Sequence, residues 1–310
     1  MSVKRIIVIA LKVLLAATVI YFAGRQLVGN WAQIADYEWK INPFLLVLSV
    51  VLHLVTFVAM SRTWCLLMNA FGFRIPLKSG FKVAYIANLG RYIPGKIWPV
   101  FGMIYLLKQI DVNKETAFTS WGIATILGLP PAFLVGVIAI AFRPEMVSGS
   151  LSGGLGIGPV LALVATLALS LVLILAPDKT TVLINWVTKL LRRPSVNFRL
   201  DKKVALQVYL GYFVSWILYG ASFYTFVNAI MTDPGVPVVA GIGSFALAYL
   251  IGYLAVFSPG GLGAREWVLT TLLTPFLGPV AAGVAVAARV WNLIVEFIAA
   301  AIALVVKLEK

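Results

Sequence analysis

The chain has 310 residues, of which 61% are hydrophobic and 12% charged. A soluble domain carries about 25% charged residues, so this composition excludes a soluble globular protein and requires one that lives in lipid. Net charge is +14, but the cations cluster at the ends of apolar runs, where the positive-inside rule explains them and nucleic-acid binding does not.

A helix crossing about 30 Å of hydrocarbon needs roughly 20 apolar residues. The first apolar run, 6–22, follows Lys4 and Arg5 and contains Lys12, which can snorkel to the interface. It has the look of a secretory signal. Its length, and the lack of an A-x-A site before Arg25, instead predict an uncleaved first span. Trp31, Tyr37 and Trp39 then read as an interfacial aromatic belt. The second predicted span, 43–60, holds His53, the sole histidine, expected as a hydrogen-bonded core residue rather than a proton relay. Cys65 is also alone, so no internal disulfide can form.

The stretch 80–107 is apolar but split at Pro94-Gly95. Its arms of about 13 residues are too short to cross, which predicts a re-entrant helical hairpin. Residues 117–142 read as a span kinked at Pro130-Pro131. The glycine run at 153–158 has no preceding strand and is no nucleotide loop. A span at 159–176 follows. In the basic linker 177–203, Leu183, Trp186, Val187, Leu190 and Leu191 share a helical face beside Lys189, Arg192 and Arg193. This is either an amphipathic interfacial helix or a plain linker whose charge enforces topology. A span at 204–230, a second hairpin over 238–277 split at Pro259-Gly260, and a last span at 279–306 complete the chain.

Orientation follows from charge. With the N-terminus inside, the outer segments hold only Arg25, Lys40 and Arg143. Lys12, Arg91, Lys96, Arg265 and Arg289 fall at membrane depth, and the remaining cations lie inside. The expectation is an all-α polytopic membrane protein with about six transmembrane helices and two opposed re-entrant hairpins. It forms a single domain over 1–310. Half one (about 1–142) and half two (about 159–310) repeat span, span, hairpin, span with every direction reversed. This inverted-topology repeat is common in secondary transporters. The expected place is the cell membrane, multi-pass, with both termini cytoplasmic.

Charge at membrane depth is expensive, and broken backbone there must be buried or line a wet cavity. At the first break Arg91 and Lys96 flank Pro94-Gly95. A helix starting after such a tip offers free N–H groups to an anion, and arginine grips phosphate with two parallel bonds. The bland alternative is that both cations snorkel to the inner interface. The second break, Pro259-Gly260-Gly261-Leu262-Gly263, is followed at once by Arg265 and Glu266. Glu266 either caps the next helix and pairs with Arg265, or serves a ligand. In the last span Arg289, Asn292 and Glu296 lie on one helical face. Arg289 and Glu296 are two turns apart, so each is expected to meet another element, with Arg265 and Glu266 as candidates. This group is either a structural ion-pair network or a proton- or cation-coupling site. No phosphate-binding ATPase loop, metal-ligand motif or nucleophile elbow occurs, so no cofactor, metal or enzymatic activity is expected.

At these two motifs the chain resembles the lysylphosphatidylglycerol synthase transmembrane region, also called the flippase-like membrane domain family. The similarity covers nearly the whole chain, and the second motif is the more specific. In that family the domain often precedes an aminoacyltransferase, and it also occurs alone or fused to glycosyltransferases. No aminoacyltransferase stretch occurs in these 310 residues, so the resemblance implies the translocating part alone. It maps the family's hairpin positions onto Arg91, Pro94, Gly95, Lys96, Pro259, Gly260, Gly263, Arg265 and Glu266.

The expected function is translocation of an anionic phospholipid or polyprenyl-phosphate-linked lipid between leaflets, its phosphate held by Arg91, Lys96 and Arg265. The partner is then a membrane lipid and not nucleic acid. Two alternatives stay open. One is a scaffold or accessory subunit for a lipid-modifying or glycosyltransferase enzyme. The other is a membrane transferase with Glu266 or Glu296 as base.

Overall fold

The computed structural model describes residues 28–29, 31–92, 97–148, 158–177, 179, 182, 200–255 and 258–309. The expected first span at 6–22, most of the 177–203 linker and of the glycine run, and the tip residues Pro94, Gly95 and Lys96 lie outside them.

The described residues form helices and no strand. In chain order these are α1 (Trp31–Ala35), α2 (Pro43–Ala70), α3 (Leu77–Asn88), α4 (Trp98–Lys108), α5 (Lys114–Phe142), α6 (Glu145–Ser148), α7 (Gly158–Leu175), α8 (Lys202–Ile230), α9 (Val238–Leu254), α10 (Ala264–Leu277) and α11 (Ala281–Val305). Short 3-10 turns occupy Leu89–Tyr92, Pro259–Gly261 and Gly278–Val280.

Local chemistry sets the ends. Asn42 accepts from Leu45 N–H at 3.2 Å with Pro43 next in line, and Asn113 accepts from Thr116 N–H at 2.7 Å. Both are side-chain caps on otherwise orphaned donors. α2 stops at Gly72, whose φ of 82° lets Phe73 N–H reach Met68 O at 3.1 Å and Gly72 N–H reach Asn69 O at 3.0 Å. Many buried hydroxyls within the apolar helices bond their own preceding turn, as Thr56 does to Leu52 O and Ser61 to Phe57 O, both at 2.9 Å, while Thr119 and Ser244 find no partner. Lipid supplies no alternative partner.

Four helical stretches are long and apolar enough to cross a membrane: Pro43–Ala70, Lys114–Phe142, Lys202–Ile230 and Ala264–Val305. The chain is therefore an all-helical, multi-spanning membrane protein. The fourth stretch is broken at Gly278, with φ 56°, into the 14-residue α10 and the 25-residue α11. The expected span at 159–176 is the 18-residue α7, rising about 27 Å. The arms of the expected hairpins are shorter: α3 and α4 have 12 and 11 residues, α9 and α10 have 17 and 14. α5 continues through Pro130 and Pro131. Their missing N–H groups leave Ile126 O and Leu127 O without helical donors, and Trp216 Nε1 of α8 donates to the next carbonyl, Gly128 O, at 2.8 Å.

α2 and α8 pack along their length. They run antiparallel, with Asn42 N–H on Ala229 O at 2.7 Å near one end, His53 against Tyr219 midway and Gly211 against Thr63 further along. Close approach depends on missing side chains. A Cβ on Gly220 would lie 2.6 Å from Ile242 Cα, so α8 and α9 meet backbone to backbone there. Several other contacts come in matched pairs. α3 packs on α4 as α9 packs on α10, and α3 rests on α11 as α9 rests on α5. The turn Leu89–Tyr92 touches the turn Pro259–Gly261. Val47, Val51, Val55 and Val58 leave one face of α2 exposed and apolar, as a lipid-facing helix requires.

Candidate functional site

The two breaks meet. α3 runs into the turn Leu89–Tyr92, which carries Arg91 and Tyr92. A Cβ on Gly90 would lie 2.8 Å from the Trp98 carbonyl carbon, so glycine lets the first hairpin close. In the second break Gly260, Gly261 and Gly263 have φ of 57°, 71° and 83°, a region that disfavours side chains. The three glycines are thus demanded by the turn itself, without reference to a ligand. Gly260 is also where three elements converge, because a Cβ there would lie 3.1 Å from Arg289 Nη2 and 3.3 Å from the Tyr92 ring.

Five charged side chains gather at this junction. Arg91 is ion-paired with Glu296 and donates to Tyr249 OH at 2.6 Å and Tyr92 OH at 3.1 Å. Glu296 also accepts from Tyr92 OH and Asn292 Nδ2. Asn292 Oδ1 accepts from Tyr219 OH at 2.8 Å and from Arg265 at 3.4 Å. Arg289 donates to Gly260 O at 2.9 Å and lies 3.4 Å from Glu266 Oε1. Glu266 Oε2 accepts from Gly263 N–H at 2.7 Å, capping α10. The carboxylate therefore fills the place at this helix start where an anion would otherwise be welcome.

Arg265 is the exception. Only 5% exposed, it has no carboxylate within ion-pair reach among the described residues. Its guanidinium lies instead 4.7 Å from the ring centroids of both Phe245 and Tyr249. Ring faces soften a buried cation but do not neutralise it. Arg91 Nε and Arg289 Nε are also buried without a hydrogen-bond partner. Among the described residues, three guanidiniums, two carboxylates and two idle donors leave the cluster with surplus positive charge and unused hydrogen bonds.

Its depth is set by the helices that carry it. Glu296 precedes the end of α11 at Val305 by nine residues, about 14 Å, and Tyr219 precedes the end of α8 at Ile230 by eleven, about 17 Å. The cluster is well inside the helical layer.

The structure brings together Arg91, Gly260, Gly263, Arg265, Glu266, Arg289, Asn292 and Glu296. Pro259 starts the second turn; Pro94, Gly95 and Lys96 lie outside the described residues. Arg289, Asn292 and Glu296 face inward together, as their spacing predicts, and Arg289 meets Glu266 as expected. Glu266 does not pair with Arg265, because capping Gly263 and facing Arg289 orient it otherwise. Glu296 finds its partner in Arg91, which sequence reasoning did not propose. His53 is wholly buried, as expected, but neither ring nitrogen has a hydrogen-bond partner. Its ring is enclosed instead by Phe57, Tyr219 and Trp291 at centroid distances of 4.6, 4.7 and 4.6 Å. Tyr92, Tyr219, Phe245 and Tyr249 were missed. The available signal was Tyr219 and Tyr249 within long apolar helices, where a hydroxyl needs a partner.

The family model of the lysylphosphatidylglycerol synthase TM region matches residues 9–303, nearly the whole chain and both breaks. The chain belongs to this family. No curated protein matches it. Membership of the lysylphosphatidylglycerol synthase transmembrane region family makes this a membrane domain connected with lipids, and the arginine cluster is the part of it with chemistry to offer.

Proposed function

We infer that the protein moves an anionic lipid between leaflets, its phosphate held among Arg91, Arg265 and Arg289 while the tails stay in the bilayer. The observation that carries this reading is Arg265, buried at the start of α10 beside Asn292 of α11, with no carboxylate partner among the described residues. A buried cation of this kind is costly, and a phosphate between it and the idle donors of Arg91 and Arg289 removes the cost. In this reading α3–α4 and α9–α10 are re-entrant hairpins entering from opposite sides. The matched packing of the two halves supports an inverted repeat, and alternating access arises as one half rocks on the other. The ion pairs Arg91–Glu296 and Arg289–Glu266 hold the two breaks against α11. The protein sits in the cell membrane with cytoplasmic termini.

Reconstitution tests the reading. Liposomes containing the protein and a fluorescent phosphatidylglycerol are exposed to an external quencher. Wild type is expected to expose inner-leaflet lipid, and Arg265→Gln to fall to the rate of protein-free liposomes. Because Arg265 belongs to no ion pair, the variant strands no partner carboxylate, and a cooperative thermal transition measured alongside shows that it is folded. Equal rates for both proteins would remove the head-group site. A wild type no faster than empty liposomes would turn the assignment towards a scaffold.

A further inference from the structure

Resting on that reading, we propose that the site selects a lipid phosphodiester carrying one negative charge, over phosphomonoesters, pyrophosphates and zwitterions. The basis is charge balance in the buried cluster. Among the described residues it holds three guanidiniums and two carboxylates, and each carboxylate already belongs to an ion pair, although Glu266 Oε1 makes no hydrogen bond. Glu296 receives Arg91, Tyr92 and Asn292. Glu266 receives the Gly263 N–H and faces Arg289. Each pair joins a break to α11, so neither can be given up without loosening the junction.

Among these described side chains one unit of positive charge remains, centred on Arg265 between two rings that carry no net charge. A ligand of charge −1 brings the cluster to neutrality. A phosphomonoester, whose second ionisation lies near pH 6, brings almost −2 at pH 8 and leaves an unbalanced negative charge in a medium that screens it poorly. It must then break an ion pair or protonate. A zwitterion brings its own cation next to three guanidiniums. A phosphodiester keeps a single charge across this pH range and offers two free oxygens to the idle donors Arg91 Nε and Arg289 Nε and to Arg265, whose hydrogen bond to Asn292 is 3.4 Å long.

The test uses the full chain in mild detergent at pH 8, with native mass spectrometry reading competition among three dioleoyl lipids. Phosphatidylethanol is a monoanionic diester, phosphatidic acid differs from it by one ethyl group and one charge, and phosphatidylcholine is zwitterionic. Wild type is expected to retain phosphatidylethanol over each of the others by about tenfold or more. Glu266→Gln raises the cluster by one positive charge and should move the ratio towards phosphatidic acid by about tenfold; Glu296→Gln makes the same charge change at the other pair. Equal retention of both anionic lipids, lost in Arg265→Gln, would overturn the selectivity and leave the head-group site standing. An unmoved ratio in both glutamine variants would also overturn it. Equal retention of all three lipids, unaffected by Arg265→Gln, would sink the site reading itself.

Discussion

Replacing Glu296 by Gln removes the charge that balances Arg91. The carboxylate takes three donors, from Arg91, Tyr92 and Asn292, and is 4% exposed, while Arg91 is 17% exposed. Removing one partner of a buried pair costs about 3–5 kcal/mol. The low end, about 3 kcal/mol, applies here because Arg91 keeps some access to solvent and glutamine keeps one acceptor. At roughly 2 °C per kcal/mol for a chain of this size, the apparent midpoint in detergent should fall by about 6 °C. Differential scanning fluorimetry on the tryptophans reads this directly. The decisive comparison is the double variant Arg91→Gln/Glu296→Gln. It removes both members of the pair and leaves the net charge of the cluster as in the wild type, so it should be more stable than Glu296→Gln alone, the signature of coupling between the two sites. Single losses that simply add, or a Glu296→Gln midpoint within about 1 °C of wild type, would refute the ion pair as a fastener of the two halves.

Ser79→Ala should lower stability by about 1–2 kcal/mol, measured as a midpoint shift. Ser79 Oγ, fully buried, donates to Glu309 O at 2.9 Å and accepts from Glu309 N–H at 2.8 Å, tying α3 to the chain after α11. Gly261→Ala should give little monodisperse protein by size exclusion. Its φ is 71°, and a Cβ would lie 2.7 Å from Gly252 O, so backbone strain and a backbone clash combine. Gly220→Ala should also destabilise, because the new carbon meets Ile242 Cα at 2.6 Å and neither helix can yield without repacking. Trp216→Phe should cost about 1 kcal/mol through the lost bond to Gly128 O. Its effect on the midpoint should be smaller than that of Glu296→Gln.

Much of this protein is legible in its sequence. Apolar run length separates helices that can cross from arms that cannot, because bilayer thickness and helical rise are fixed. Proline, asparagine and glycine mark the ends of α2, α5 and the two breaks, because these residues change backbone conformation or capping locally. The spacing of Arg289, Asn292 and Glu296 puts them on one face, because 3.6 residues complete a turn.

Partners are another matter. Tyr92 and Glu296 are 204 positions apart, and spacing within one helix gives the direction of a side chain without saying which helix stands opposite. That choice depended on the antiparallel pairing of α2 with α8 and on glycines that let helices approach, which is tertiary packing. The same packing surrounded His53 with aromatic rings where a hydrogen-bond partner was expected, and left Arg265 as the guanidinium of the cluster with no carboxylate partner among the described residues. A sequence displays how many charges enter the membrane, but which of them are cancelled depends on distances of a few ångströms between separate elements, where Coulomb energies are decided.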